Sequence, residues 1–169
     1  TNHSEDTLFE DIKQFPAAHY AELNLITPKL EMVRYWTPQQ SQSNYTREEA
    51  AKKLQDMFLK NIELHLRSDV PVGAALSGGI DSSAIVMGMR TVGGDSLDIK
   101  TFSYCARESN YNEEFWVDRV VQESAVENFK VLFIPETFNA DIESLIKVQG
   151  EPFGSTSIYA QYKVFELAK

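Results

Sequence analysis

Between residues 68 and 83 the chain reads S-D-V-P-V-G-A-A-L-S-G-G-I-D-S-S, and these residue types in this order could hold a phosphate. An apolar run, Val72 to Leu76, leads into Ser77-Gly78-Gly79, and a helical pattern begins within a few residues. Two adjacent glycines reach backbone conformations closed to other residues and leave no side chain in a ligand's way. A helix that starts there offers its first amides, which have no carbonyl partner, and the positive end of its dipole. Ser77, Ser82 and Ser83 add hydroxyls around the same spot. Asp81 is the odd member, because a carboxylate repels a phosphate unless a cation lies between them. Mg²⁺ takes carboxylate and phosphate oxygens together, so the aspartate reads as a metal ligand. The alternative is a helix-capping aspartate, a role Asp commonly fills; the flanking serines and glycines favour the metal. A purely structural turn would require neither Asp81 nor the two serines after it.

Periodicity sets this stretch at a strand-to-helix junction. Thr46 and Glu49 have capping-box spacing, and Leu54, Met57, Phe58, Ile62 and Leu66 recur at helical spacing, which predicts a helix over about residues 47–67. Ser68 to Pro71 breaks it, since the residue before a proline is pushed out of helical geometry. Strand and helix then alternate. Strands are expected over Val72–Leu76, Ile99–Cys105 and Val131–Ile134, the last stopped by Pro135. Helices are expected over Ser82–Arg90, ended by Gly93-Gly94, and over Asn112–Glu127, with Phe115, Val120, Val121 and Ser124 along one face. Two more follow, Asn139–Val148 and Ser157–Lys169. Such alternation implies an α/β fold with a parallel sheet and right-handed crossovers. Residues 1–44 lack a steady period. Ile12 to Trp36, interrupted at Pro16 and Pro28, suits short strands or a hairpin, and polar Gln39–Asn44 reads as loop. No internal repeat or low-complexity tract is present.

The 169 residues are 43% hydrophobic and 24% charged, enough for one ordinary domain with a real core. A formal net charge of −9 should repel nucleic-acid phosphates, and no basic stripe offsets it, so a nucleic-acid partner is excluded. A bound nucleotide would then need a metal ion and locally placed donors. No apolar run approaches the ~20 residues of a membrane helix, and no signal-peptide pattern opens the chain. The single cysteine, Cys105, lies in an apolar run and reads as a small buried thiol; no intramolecular disulfide can form. These features together point to the cytoplasm. His3, His19 and His65 are scattered, without zinc-site spacing.

Ser77-Gly78-Gly79-Ile80-Asp81-Ser82-Ser83 resembles the pyrophosphate-binding loop, or PP-loop, of the ATP pyrophosphatases. That group includes asparagine, GMP, NAD and argininosuccinate synthetases. It is not a Walker loop, because it lacks the G-K-[ST] ending. The preceding S-D-V-P-V-G narrows the resemblance to the glutamine-hydrolysing asparagine synthetase family. Thr101-Phe102-Ser103-Tyr104 resembles the family's second strand, with Tyr104 where an aliphatic residue is usual. Glu151-Pro152-Phe153-Gly154 resembles the D-E-P-F element, with Gly150 and Ser155 in place of acidic residues. Glu151 reads equally as a solvated loop acid. Upstream, Phe9-Glu10-Asp11-Ile12-Lys13, Pro16, His19-Tyr20 and Tyr35-Trp36 resemble the connection between glutaminase and synthetase domains, with Ala17-Ala18 replacing the usual Pro-Gly.

The resemblance implies a three-layer, Rossmann-like parallel sheet of the adenine nucleotide alpha hydrolase-like type, incomplete at its C-terminus. Residues 1–44 would be linker and the end of a preceding glutaminase-type domain, and residues 45–169 a partial ATP-binding domain. It further implies that ATP, with Mg²⁺, adenylates a carboxylate, the aspartate side chain in the usual case. Ammonia from glutamine then forms the amide. Ser77, Gly78, Gly79, Ser82 and Ser83 would contact phosphates, Asp81 the magnesium, and Ala75, Leu76 and Tyr104 would flank the adenosine. The expected partners are ATP, the carboxylate substrate and a glutaminase domain of the same longer chain; a homodimer stays open. The N-terminal nucleophilic cysteine of the family's glutaminase has no counterpart, since the chain begins with Thr1. A further strand and a glycine-rich acidic loop would follow the last helix. The expectation is therefore a fragment, inactive by itself, whose Val72–Leu76 strand presents an open apolar edge. A related amidotransferase acting on a peptide, an antibiotic precursor or a sugar acid remains an alternative, as does a non-catalytic nucleotide-binding module.

Overall fold

The change of pattern at Thr46 marks the start of a long helix in the computed structural model, which describes residues 4–39, 44–106, 113–132 and 134–169. Thr46 Oγ1 accepts from the Glu49 amide at 3.2 Å, and Glu49 Oε2 accepts from the Thr46 amide at 2.8 Å. Two otherwise orphaned amides are thereby satisfied at once, and helix α1 runs Arg47–His65. The chain divides into two compact units, Thr1–Asn44 and Tyr45–Lys169.

The first unit is an antiparallel hairpin, β1 (His19–Asn24) with β2 (Lys29–Arg34), in register from His19↔Arg34 to Asn24↔Lys29. Asn24 Oδ1 closes the turn by accepting from the Ile26 and Thr27 amides at 2.9 and 3.0 Å. Ala18, where the family's glycine is expected, has φ +60°. Tyr20, Leu23, Leu30, Met32 and Trp36 are all exposed. Of the expected loop at Gln39–Asn44, residues 40–43 lie outside the described residues.

The second unit is built on three parallel strands in the order β3-β4-β5: Gly73–Ala75, Lys100–Cys105 and Glu127–Leu132. Helices α2 (Ile80–Gly93), α3 (Glu114–Ser124), α4 (Pro135–Gln149) and α5 (Thr156–Ala168) complete it. The order of elements is the expected α/β alternation. Thr101, Ser103 and Cys105 are buried alternately along β4, on the face that carries the core of Ile62, Leu76, Val86, Met89, Ile99, Val117 and Val126. Phe102 and Tyr104 turn to the other face, where Phe102 stacks on Phe129 at 5.5 Å. α1 lies close on α2, since a Cβ at Gly88 would stand 2.3 Å from Ile62 Cδ1.

Several boundaries differ from the sequence expectation. β5 begins at Glu127 rather than Val131, because its polar residues are paired. Asn128 Oδ1 accepts from Thr101 Oγ1 and Ser103 Oγ, both at 3.0 Å, and Lys130 binds two carboxylates. The Asn128 Nδ2 is buried without a partner among the described residues. α3 ends at Ser124, where Ala125 takes a left-handed conformation with φ +49°; the expected start at Asn112 lies outside the described residues. Phe115 is 70% exposed rather than facing inward. Val117, Val120, Val121 and Ser124 form the i, i+3, i+4, i+7 stripe, and Phe115 sits off it. Pro135 does more than end a strand, because it occupies the first turn of α4, where its missing N–H costs nothing.

β3 pairs only with β4 among the described residues, so the expected open edge is present. It is short, and one further bond, from the Leu76 amide to the Phe102 carbonyl at 2.9 Å, prolongs the ladder. A shallow hollow of about 420 Å³ lies along this edge, lined by Val72, Gly73, Phe102, Val164 and Phe165 among others.

Candidate functional site

Ser77-Gly78-Gly79 joins the end of β3 to the start of α2, the junction read from the sequence. Gly78 makes the bend with φ +85°, a left-handed conformation that side-chain-bearing residues rarely adopt. Gly79 is the N-cap of α2, with φ −69° and ψ 161°, and no side chain caps the helix. Within an α-helix the first amides have no carbonyl four residues back. Those of Ile80, Asp81 and Ser82 therefore have no partner among the described residues, at the positive end of the α2 dipole.

The loop is held by its own serines. The Ser77 amide donates to Ser82 Oγ at 3.2 Å, the Gly79 amide donates to Ser77 Oγ at 3.3 Å, and Ser82 Oγ donates to the Gly79 carbonyl at 3.2 Å. The two hydroxyls lie 3.1 Å apart. Serine oxygens thus occupy the positions in front of the Ser77 and Gly79 amides.

Asp81 is exposed in the first turn of α2, one residue inside the helix. It does not cap the helix; Gly79 holds that position. The capping alternative therefore falls. Among the described residues no hydrogen bond or ion pair takes its carboxylate, and no group of three or more His, Cys, Asp or Glu gathers as a metal site. One carboxylate beside such a loop could hold Mg²⁺ only together with waters and ligand oxygens.

The remaining candidates lie around this loop in different ways. Ala75 is exposed at the end of β3, whereas the Leu76 side chain is 1% exposed and belongs to the core. Leu76 can offer a ligand only its backbone. Tyr104 is half-buried on the α5 face of the sheet, and burial, with Tyr159 nearby, raises its phenol above the ordinary range. Ser83 is half-buried, and its amide donates to the Gly79 carbonyl at 3.0 Å. Glu151 is exposed in the turn between α4 and α5. Cys105 is 2% exposed, and burial pushes its thiol up, with Glu114 and Asp118 adding to the effect.

One wall of the site was not legible in the sequence. A Cβ on Gly78 would stand 2.9 Å from the Glu113 carbonyl oxygen, 3.1 Å from Trp116 Cβ and 3.2 Å from the Val117 amide. The first turn of α3 therefore backs onto the loop. No local signal in the sequence joins this turn to Gly78.

The molecule is a parallel α/β unit with a glycine-serine loop at its first strand-to-helix junction, an arrangement whose backbone could cradle an anion. The asparagine synthase family model matches residues 53–169, and the chain belongs to that family. A putative glutamine-hydrolysing asparagine synthetase 2 of Methanocaldococcus jannaschii is 32% identical over 135 residues, covering 80% of this chain and 26% of that protein. The glutamine-hydrolysing asparagine synthetase 2 of Bacillus subtilis is 30% identical over 121 residues, covering 68% of this chain and 16% of its own length. The chain thus spans about a quarter or less of these relatives. An NMN synthetase structure from Francisella tularensis overlaps 74% of this chain and 51% of its own, at 16% identity and a TM-score of 0.45.

Proposed function

We propose that the protein carrying these residues is an ATP-dependent amidotransferase that makes an amide from a carboxylate, with the aspartate side chain as the acceptor. A carboxylate oxygen attacks the α-phosphorus of ATP, and the bond to the β-phosphate breaks with its electron pair leaving on pyrophosphate. Ammonia then attacks the acyl carbon and AMP departs. The observation that carries this reading is the Ser77–Ser83 turn: a left-handed Gly78 followed by unpaired helix amides, in a chain of the asparagine synthase family.

In this reading Ser77, Gly78, Gly79, Ser82 and Ser83 contact the phosphates, the serines through their hydroxyls, and the Ser77 and Gly79 amides would exchange their serine oxygens for phosphate oxygens. Ala75 and the backbones of Leu76 and Tyr104 border the adenosine. Asp81 would hold Mg²⁺ against the phosphates. The metal, when bound, supplies charge neutralisation for the departing pyrophosphate. The amides contribute in the same sense, since they are fixed before the charge develops and need no reorganisation. Residues 1–44 are taken as linker and the end of a preceding glutaminase-type domain that delivers the ammonia; their exposed Tyr20, Leu23, Leu30 and Trp36 suit a segment that packs within a larger body.

Pyrophosphate release from ATP by the native protein, measured with aspartate and with other carboxylates, tests this. Aspartate-dependent release is expected. Release with a peptide or sugar acid but none with aspartate would transfer the reading to a related amidotransferase. No release with any acceptor, despite ATP binding, would leave a non-catalytic nucleotide-binding module.

A further inference from the structure

Lys130, on β5, reaches two carboxylates of α3 at once: Glu114 Oε1 at 2.7 Å and Asp118 Oδ1 at 2.6 Å. Glu114 and Asp118 are four residues apart on one helix face, an arrangement of like charges that destabilises an isolated helix. Lys130 lies between them and turns that repulsion into a bridge from helix to sheet. Its burial works against the ammonium, but the hydrogen bonds it donates to Asp118 and Glu114 outweigh this and raise its pKa.

What the bridge holds is the first turn of α3. The Glu113 carbonyl accepts from the Trp116 amide at 2.9 Å and from the Val117 amide at 3.1 Å, the opening bonds of the helix. The same carbonyl oxygen, with Trp116 Cβ and the Val117 amide, forms the wall against Gly78. Fraying this turn would release the Glu113 carbonyl and remove the surface on which the left-handed bend rests.

We propose that Lys130 is a positioning residue for the phosphate loop, acting through Glu114, Asp118 and the first turn of α3 on Gly78. The functional consequence rests on the reading of that loop as a pyrophosphate site; the mechanical one does not. The contrast is with Arg90, which donates to the Ser124 carbonyl at 2.7 Å, Ala125 at 3.0 Å, Gly94 at 2.6 Å and Leu97 at 3.0 Å. It fastens the far ends of α2 and α3 and touches nothing in the loop.

The test is hydrogen exchange of the loop amides over residues 77–83 in the ligand-free native protein. Lys130→Met should speed that exchange about ten-fold while leaving α1 unchanged. Lys130→Arg should stay near the unsubstituted protein. The triple variant Lys130→Met with Glu114→Gln and Asp118→Asn should recover in part, because the like-charge repulsion is gone while the tie from β5 is not restored. Arg90→Met should lower the melting temperature without singling out the loop. Unchanged exchange in Lys130→Met, equal loosening by Arg90→Met, or no recovery in the triple variant would each overturn the proposal. ATP titration with Mg²⁺ separates the two levels. About ten-fold weaker binding by Lys130→Met supports both. A loosened loop in a protein that never binds ATP keeps the positioning role and removes the nucleotide reading.

Discussion

At Gly78 the backbone has φ +85° and a Cβ would lie 2.9 Å from a backbone carbonyl oxygen, whereas Gly79 has φ −69° and meets only the Ser77 hydroxyl at 3.3 Å. The two glycines are adjacent in sequence but are not equivalent. Alanine at position 78 would incur the left-handed cost and an immovable contact, together about 2–4 kcal/mol. Alanine at position 79 should cost under about 1 kcal/mol, since the hydroxyl can turn aside. Urea denaturation of Gly78→Ala and Gly79→Ala should separate them clearly, and equal losses would contradict the geometry described here. Cys105 gives a pH signature at the same scale. Burial raises its thiol pKa in the folded state, so the unfolded chain ionises first as pH rises. Its contribution is therefore complete below the ordinary thiol range and is lost as pH climbs through the raised value. Stability measured at increasing alkaline pH should fall more steeply in the unsubstituted protein than in Cys105→Ala. Parallel curves would show that the thiol is not perturbed.

The elements most legible in the sequence were those whose signals are local. The capping box at Thr46 and Glu49 sets the start of α1 through bonds within three residues, and removing it by Thr46→Ala should cost about 1 kcal/mol, read from the urea midpoint. β5 was misplaced because its evidence is distant: Asn128 is satisfied by Thr101 and Ser103, and Lys130 by Glu114 and Asp118. Read alone, Glu127-Asn128-Phe129-Lys130 looks too polar for a strand. The end of α3 was missed for a similar reason. Ala125 adopts φ +49° without being glycine, held by Arg90 donating to its carbonyl. Ala125→Gly should therefore stabilise the protein by about 1 kcal/mol, a rise in melting temperature that calorimetry would register. A fall would mean that the left-handed cap is not where the helix ends.

For the molecule as a whole, the alternation of strands and helices was enough to read a parallel α/β sheet, and the Ser77–Ser83 motif was enough to put its candidate site at the first crossover. The α3 wall behind Gly78 was not readable, because nothing local joins residue 78 to residue 113. Leu76 shows the same limit from the other side: the motif marked it as a site residue, while packing sends its side chain into the core. The proposed function reduces to one claim, that this turn receives the phosphates of ATP with a cation at Asp81. Calorimetric titration of the native protein with ATP, with and without Mg²⁺, tests it most directly. Binding should be at least about ten-fold tighter with Mg²⁺ than without it, and Asp81→Ala should lose that gain. Absence of binding, or equal affinity in Asp81→Ala with the metal present, would contradict the account.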